Sequence, residues 1–318
     1  MSISDTIKEL NKKYGNVVSR PNELADGDVD IPFVSTGIYS LDKLFGCGGM
    51  PRGRIVEVYG QESSGKSTLA LFVASIVQKT GGSVLWVDAE ACWSAGYAKQ
   101  IGVDLDKIIV ASPETMEEAF DIMADVVSKN EIELIVLDSV AALVPKAELE
   151  GDMEDQQMAL GARLMGKALR RMTGSLAKTK ISVIFLNQLR DRVGVFFGNK
   201  HTTPGGNSLK FFASVRIEVK RGELIKDKND SVIGNKMNLY AAKNKVGSPF
   251  KTCSLDLYYA KGVDVTSDLF DIAVASGVIT KSGNTYQFGD VKMGVGHDNA
   301  KEFLSTNGEI LEQIKSKL

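Results

Sequence analysis

Short apolar runs alternate along the middle of the chain with longer segments whose apolar residues recur at helical spacing. The runs, rich in Val, Ile and Leu, occupy residues 54–59, 84–87, 132–137 and 182–186. Between two of them, Met116, Phe120, Met123 and Val127 share one face of a helix. Strands that alternate with helices predict an α/β fold with a mostly parallel central sheet. Polar residues cluster at the carboxyl ends of these runs, where such sheets bind their ligands.

The N-terminal residues predict a short amphipathic helix that ends at Gly15. Its apolar residues are Ile3, Ile7, Leu10 and Tyr14. A polar linker follows over residues 20–30. So short a helix must dock its apolar face to be stable. The pattern leaves open whether it docks on its own domain or on a neighbouring subunit.

Beyond Asp264 the elements shorten to small helices and turns, which indicates a separate C-terminal module. We therefore expect three parts in the chain. They are an N-terminal oligomerisation helix with its linker over residues 1–30, a core over residues 31–263 and a small C-terminal domain over residues 264–318.

Composition narrows the setting in which the protein acts. The 318 residues carry a formal net charge of −2, so binding to nucleic acid must rest on local basic patches. Cys47, Cys92 and Cys253 lie far apart and lack metal-ligand spacing, which argues against disulfides and zinc. No apolar run approaches the ~20 residues that span a bilayer, and the N-terminus lacks the apolar stretch of a signal peptide. We expect a cytoplasmic protein with no membrane partner.

A phosphate-binding loop follows the first apolar run. Residues 60–67, Gly-Gln-Glu-Ser-Ser-Gly-Lys-Ser, match the pattern G-x-x-x-x-G-K-[ST] between a strand and a helix. The glycines let backbone amides and the helix N-terminus face phosphates. Lys66 can reach the β- and γ-phosphates of ATP, and the Ser67 hydroxyl is a ligand for Mg²⁺. The loop therefore predicts ATP and Mg²⁺ as cofactors.

Two carboxylates end other apolar runs. Asp138 follows the run 132–137 and would hold Mg²⁺ directly or through water. An apolar strand that ends in Asp is common, and it is the nearby phosphate loop that favours this interpretation. Glu90 follows the run 84–87 and could deprotonate an attacking water. From the residues alone, a surface carboxylate or a helix cap explains Glu90 equally well.

These motifs stand among others in an order that resembles the RecA family of recombinases. The similar segments are residues 35–37, 62–69, 88–90, 138–148, 187–188, 194–199, 203–207 and 243–245. The resemblance implies a RecA-type P-loop NTPase core with an N-terminal helix and a small α+β C-terminal module. It also implies a DNA-dependent ATPase that self-associates into a helical filament on single-stranded DNA. Such a filament pairs and exchanges strands with double-stranded DNA in recombination and repair.

The resemblance also assigns roles to single residues. Glu90 matches the glutamate that activates water, Tyr97 the residue that stacks on adenine, and Gln188 the sensor of the γ-phosphate. Two lysines match those that reach ATP on the adjacent subunit, as an arginine finger does. The expected catalytic residues are Glu90, Lys66, Gln188, Lys243 and Lys245. The expected nucleotide-binding residues are Gly60, Gln61, Glu62, Ser63, Ser64, Gly65, Lys66, Ser67, Thr68, Tyr97 and Asp138, with Ser67 and Asp138 on the metal.

Two turn-rich segments resemble the DNA-binding loops of the family. The first, residues 150–155, is acidic, and the second, residues 190–207, carries basic, aromatic and glycine residues. So long a loop with aromatic residues is uncommon unless it is functional or mobile. Phe197 matches the aromatic of the second loop, although a core role for Phe196 or Phe197 stays open. The expected DNA-binding residues are Arg163, Arg170, Arg190, Arg192, Phe197, Gly205, Gly206 and Asn207.

A basic stripe lies between these two segments, on a face of a helix distinct from the apolar one. It consists of Arg163, Lys167, Arg170 and Arg171. A solvated helix face is the plain alternative. The position of the stripe between the two predicted DNA-binding loops favours contact with phosphates. Such contacts give strongly salt-dependent affinity without sequence preference.

The sequence departs from the family at a few places. Ser94 stands where an aspartate near adenine is usual, so we expect looser discrimination of the base. Cys92 and Trp93 are unusual beside Glu90. The chain ends in Lys-Ser-Lys-Leu rather than in an acidic tail, so we expect no autoinhibitory tail.

Two other functions would use the same nucleotide motifs. A hexameric DNA helicase shares them but lacks the paired glycines at 205 and 206. A non-catalytic scaffold gated by ATP would not need Lys66, Glu90 and Asp138 together. Closed rings in electron micrographs would favour the helicase, and assembly without turnover would favour the scaffold.

Overall fold

A computed structural model describes residues 2–15, 17–20, 31–151, 160–191, 201–259 and 261–318. The chain divides into two compact units, Met1–Pro32 and Phe33–Leu318. In the first unit, helix α1 (Ile3–Tyr14) begins with a capping box between Ser2 and Asp5 and ends at Gly15, which confirms the predicted helix.

The second unit contains the remaining helices and strands. The helices are α2 (Tyr39–Phe45), α3 (Lys66–Lys79), α4 (Ala95–Ile101), α5 (Met116–Lys129), α6 (Lys146–Glu150), α7 (Leu160–Thr179), α8 (Gly206–Phe212), α9 (Val265–Ala275), α10 (His297–Thr306) and α11 (Gly308–Lys315). The strands are β1 (Phe33–Val34), β2 (Met50–Pro51), β3 (Ile55–Gly60), β4 (Val84–Asp88), β5 (Ile108–Ala111), β6 (Leu134–Asp138), β7 (Ser182–Gln188), β8 (Arg190–Asp191), β9 (His201–Thr202), β10 (Val215–Lys226), β11 (Val232–Asn244), β12 (Thr252–Tyr258), β13 (Gly262–Val263), β14 (Thr280–Ser282), β15 (Thr285–Phe288) and β16 (Val291–Val295).

The central sheet has the strand order β13-β12-β11-β10-β3-β7-β6-β4-β5 among the described residues. Neighbouring strands run parallel from β10 to β5 and antiparallel from β10 to β13. The predicted mostly parallel sheet is therefore confirmed, with an antiparallel flank added. The flank does not stand out in the sequence as apolar runs, because β10 and β11 largely alternate buried and exposed positions, as strands with one solvated face do.

Helices cover both faces of the parallel part of the sheet. Alternate residues of β6 enter different cores, because successive side chains of a strand point to opposite faces. Leu134 and Val136 pack in the core that contains α3. Ile135 and Leu137 pack in the core that contains α5 and α7. With both faces buried, the carboxyl edge of the sheet remains as the place for a polar site.

The C-terminal residues build a smaller core of their own. The antiparallel strands β14, β15 and β16 pack with α9, α10 and α11 around Phe270 and Tyr286. At the start of α9, the Asp268 carboxylate accepts a 3.0 Å hydrogen bond from the backbone amide of Ser40 in α2. Asp268 thus satisfies an amide at the N-terminus of another helix. The three-part division of the chain stays a prediction.

Across the ranges that the structure describes, no helix has the length and apolar character needed to cross a membrane.

Candidate nucleotide site

The loop over residues 60–65 joins β3 to α3, whose N-terminal amides open into it. Two glycines are required by its shape. A Cβ at Gly60 would lie 2.2 Å from the carbonyl oxygen of Val219. Gly65 has φ +87°, a conformation that residues with side chains rarely adopt. The result is a concave backbone of the kind that holds phosphate.

Lys66 lies inside this loop and is mostly buried. Its Nζ donates to the carbonyl oxygens of Gln61 at 2.7 Å and Gly60 at 3.3 Å. Burial lowers the pKa of Lys66, while the negative charges of Asp138, Glu90 and Glu62 act in the opposite direction. The ammonium group is therefore held by its own loop, in the field of the carboxylates of the site.

Asp138 ends β6, and its carboxylate accepts a hydrogen bond from the Ser67 hydroxyl. Burial, reinforced by the negative charges of Glu90 and Asp88, raises the pKa of Asp138 to about 6. Negative charge is therefore concentrated around Asp138, next to the Ser67 hydroxyl. A carboxylate beside a hydroxyl fits Mg²⁺, which prefers oxygen ligands. Ser67 and Asp138 are thus brought together as the sequence predicts for metal ligands.

Glu90 follows β4 and is fixed at both backbone and side chain. The amides of Ala89 and Glu90 donate to the carbonyl oxygen of Asp138 at 2.8 Å and 3.3 Å. The Oε1 atom of Glu90 accepts hydrogen bonds from Ser139 Oγ and, at 3.0 Å, from Gln188 Nε2. Because β7, β6 and β4 are neighbours in the sheet, their carboxyl ends bring these side chains together.

A tight turn carries Glu90. The buried Asp88 carboxylate accepts hydrogen bonds from the amides of Cys92 at 3.1 Å and Trp93 at 2.9 Å. The Trp93 ring lies 5.6 Å from the ring of Trp86 on β4. Trp93 therefore anchors the turn, which gives this unusual residue beside Glu90 a packing role. The Cys92 thiol donates to the carbonyl oxygen of Glu90 at 3.3 Å and so closes the same turn.

The two residues predicted near the base lie at the start of α4. The Tyr97 hydroxyl is 2.8 Å from Thr68 Oγ1 on α3, so the tyrosine is tied to the end of the phosphate loop. Ser94 caps α4 by accepting a 3.3 Å hydrogen bond from the Tyr97 amide. The structure thus gives Ser94 a local role.

The two lysines predicted to act on an adjacent subunit lie at the end of β11. Lys243 Nζ donates to the carbonyl oxygens of Lys210 at 2.6 Å and Phe211 at 3.0 Å, at the C-terminal end of α8. Burial, together with the nearby charges of Lys245 and Arg216, lowers the pKa of Lys243. Lys66, Glu90 and Gln188 therefore lie together, whereas Lys243 contacts α8 of its own chain. Lys245 is exposed.

The predicted basic stripe lies on α7, and all four of its side chains are exposed. Lys167 and Arg171 also line a cavity of about 260 Å³ between α5 and α7. Arg171 Nη1 lies 3.5 Å from Asp121 Oδ1 of α5, which offsets part of its charge. Arg163 and Arg170, which do not line this cavity, keep their place among the residues predicted to contact phosphates.

The second predicted loop is shorter than the sequence suggested. Arg190 and Asp191 pair with Thr202 and His201 as β8 and β9, and Gly206 and Asn207 belong to α8, so the prediction was wrong at both ends. Arg192 and Phe197 lie outside the described residues, as do residues 152–155 of the first segment.

The paired glycines that follow this loop have a packing role. Gly205 and Gly206 have φ values of +85° and +69°, which favour glycine. A Cβ at Gly206 would lie 2.8 Å from Cβ of Ala162, and one at Gly205 would lie 3.3 Å from Met165. The exit of the loop is therefore pressed against α7, close in sequence to Arg163.

Three residues beside the site were given no role from the sequence. Ser139 contacts Glu90, and the buried Asn187 contacts the buried Glu57. Glu57 carried a usable signal, since a charge interrupts the apolar run of β3. Ser139 and Asn187 carried a weaker one, because each is simply adjacent to a predicted residue.

The fold and this edge of the sheet together define a P-loop NTPase. The family model described as the RecA N-terminal domain matches residues 1–264, and that of the RecA C-terminal domain matches residues 267–318. The chain is 45% identical to protein RecA of Lactobacillus johnsonii, over 98% of this chain and 86% of that protein. It is 43% identical to protein RecA of Clostridium acetobutylicum, over 100% of this chain and 90% of that protein.

A solved structure supports the fold. The crystal structure of the RadB recombinase covers 73% of this chain and 98% of its own, with a TM-score of 0.55 and 22% identity. The two family models and the similar proteins show that the chain belongs to the RecA family of recombinases. Membership of this family implies nucleotide binding with a metal, DNA binding and filament formation.

Proposed function

We propose that this protein is an ATP-dependent recombinase that assembles into a helical filament on single-stranded DNA and pairs it with a homologous duplex. One observation supports this most strongly. In a RecA-family chain, Gln188 and Glu90 share a hydrogen bond at the sheet edge that also holds the phosphate loop and Asp138. Recombination and repair of DNA would take place in the cytoplasm.

ATP would bind with its phosphates in the loop over residues 60–67 and its base beside Tyr97. Lys66 would leave the loop carbonyls for the β- and γ-phosphates. Ser67 and Asp138 would hold Mg²⁺, which neutralises charge on the phosphate oxygens when it is bound. The backbone amides of the loop would supply the remaining hydrogen bonds to phosphate.

Hydrolysis would use Glu90 as the general base. As the water oxygen bonds to the γ-phosphorus, Glu90 takes the water proton and the bond to the bridging oxygen of ADP breaks. Gln188 would donate to the γ-phosphate instead of to Glu90. This exchange of one hydrogen bond would link the state of the nucleotide to the loop that follows Gln188.

Assembly would complete the site. Lys243 and Lys245 would reach ATP on the adjacent subunit and stabilise the charge that develops there. Lys243 would first have to leave the carbonyl oxygens of α8. Turnover would therefore depend on a neighbour in the filament.

DNA would bind along α7 and the segment between β7 and α8. Basic side chains would neutralise phosphates, and Phe197 would stack at the bases. The proposed residues are Arg163, Arg170, Arg190, Arg192, Phe197, Gly205, Gly206 and Asn207.

Strand exchange between a labelled duplex and a homologous single strand tests the proposal. The wild-type protein should exchange strands with ATP, and electron micrographs should show open filaments. Lys66→Ala should abolish both turnover and exchange. Phe197→Ala should keep nucleotide binding and lose exchange. Closed rings, or ATP-stabilised assembly without turnover, would contradict the proposal.

A further inference from the structure

A buried polar network crosses the strands behind the nucleotide site. Glu57 lies in β3, fully buried between β10 and β7. Its Oε2 accepts a 2.5 Å hydrogen bond from Arg216 Nε, and its Oε1 accepts a 3.0 Å hydrogen bond from Asn187 Nδ2. The Arg216 guanidinium lies over the Tyr59 ring, 4.5 Å from its centroid. A buried carboxylate is costly unless its charge is paired and its oxygens are hydrogen-bonded, and Glu57 meets both conditions.

Asn187 is the branching point of this network. Its Nδ2 also donates to the carbonyl oxygen of Pro204 at 3.1 Å, and its Oδ1 accepts from the backbone amide of Gln188 at 3.0 Å. An ionised carboxylate only accepts hydrogen bonds. Glu57 therefore requires the amide nitrogen of Asn187 to face it, which leaves the amide oxygen for Gln188.

The two ends of Asn187 lead to different parts of the proposed machinery. Pro204 precedes Gly205 and Gly206, which close the second DNA-binding segment and begin α8. Gln188 donates its side-chain amide to Glu90. Asn187 thus links the end of the second DNA-binding segment to the backbone of Gln188, whose side chain contacts Glu90.

We propose that Glu57 is a positioning residue for the stimulation of ATP hydrolysis by DNA and that it acts through Asn187. By fixing the Asn187 amide, it makes Pro204 and Gln188 move together. A shift of the second DNA-binding segment is then passed to Gln188 and on to Glu90. The inference deepens the proposed function and rests on it.

The test compares Glu57→Gln with a matched control. Glutamine keeps the shape of the side chain but loses the charge that holds Arg216. It also allows the side-chain amide of Asn187 to flip, because its own amide can donate as well as accept. Glu133→Gln is the control, because Glu133 also pairs with an arginine, Arg52, but precedes β6 at the opposite edge of the sheet. The measurements are kcat and KM for ATP with and without single-stranded DNA, and the Kd of a fluorescent ADP.

The expected result separates coupling from binding. In Glu57→Gln, kcat with DNA should fall at least about 10-fold, while KM, the Kd of ADP and the DNA-free kcat stay within about twofold of wild type. Glu133→Gln should match wild type in every measurement. Asn187→Ser, which keeps the Glu57–Arg216 pair, should behave as Glu57→Gln does.

Several outcomes would overturn the inference. One is a Glu57→Gln variant whose DNA-stimulated kcat equals that of wild type. Another is an equal fall in kcat with and without DNA, or weaker ADP binding, which would place the effect in the phosphate loop. Failure to fold in both Glu57→Gln and Asn187→Ser would assign the network to stability alone. If DNA does not stimulate the wild-type protein, the proposed function fails and this inference with it.

Discussion

Gln188 Nε2 lies 3.0 Å from Glu90 Oε1, so the residue that ends β7 contacts the residue that follows β4, across the end of β6. Ser139 donates to the same oxygen of Glu90. A ligand that draws the Gln188 amide away therefore changes the hydrogen bonds of the carboxylate. The proposed general base and the proposed sensor are thus joined directly, side chain to side chain.

Replacing Gln188 by alanine should uncouple hydrolysis from DNA. The variant keeps the phosphate loop, so its Kd for ADP should stay close to that of wild type. Its DNA-stimulated kcat should fall by about 10²-fold, the size typical for removal of one positioned donor. Steady-state hydrolysis with and without single-stranded DNA checks this. Gln313→Ala, on the exposed face of α11, is the control and should behave as wild type. Full DNA stimulation in Gln188→Ala would remove the sensor role.

Mixing two inactive variants should restore hydrolysis if Lys243 acts on its neighbour. Lys66→Ala lacks its own lysine at the phosphates but offers Lys243, and Lys243→Met has the reverse defect. In a head-to-tail filament of an equal mixture, about a quarter of the interfaces would pair the two intact parts. Hydrolysis on DNA should therefore return to roughly a quarter of the wild-type rate. A mixture as inactive as its components would contradict action between subunits.

The double variant Arg163→Ala, Arg170→Ala should weaken DNA binding in a salt-dependent way. Each basic side chain that neutralises a phosphate adds about 0.7 to the slope of log K against log salt for single strands, so removing two should reduce the slope by about 1.4. Fluorescence anisotropy with labelled single strands across a salt series measures the slope. Arg171→Ala is the matched control on the same helix, because Arg171 lies near Asp121 of α5. An equal reduction in the control would argue for an effect on α7 itself.

The Asp268 carboxyl should make stability depend on acidic pH. Burial raises the pKa of Asp268 above its ordinary value of 3.8. The folded state therefore holds the proton more tightly, and the free energy of unfolding falls as the pH rises through 3.8 toward the raised pKa. Asp268→Asn removes this dependence and keeps an oxygen to accept from Ser40.

Thermal unfolding followed by circular dichroism checks this. The difference in Tm, wild type minus Asp268→Asn, should be largest at the acidic end of the range. It should decrease as the pH rises toward neutrality. Asp290→Asn removes an exposed carboxylate and controls for the change of charge. A difference in Tm that does not change with pH would contradict the assignment.

Much of the nucleotide site was predictable because its parts are local in sequence. The phosphate loop is one continuous motif, and Asp138 and Glu90 each follow an apolar run. Parallel strands then place their carboxyl ends at one edge, which is why these residues meet.

The remaining features depend on contacts between distant residues. Asp268 and Ser40 are 228 positions apart, and no periodicity relates them. Lys243 contacts the end of α8 through a hairpin register that the sequence does not reveal. The β8–β9 pair was missed because two residues on each side form it, too few for an alternating pattern.

The measurement that tests the central claim most directly is ATP hydrolysis with and without single-stranded DNA across a salt series. A DNA-dependent recombinase predicts strong stimulation by DNA that fades as salt rises, since basic residues must bind phosphates before the filament forms. High turnover without DNA would indicate a different motor. No turnover under either condition would contradict the roles proposed for Glu90 and the lysines at the end of β11.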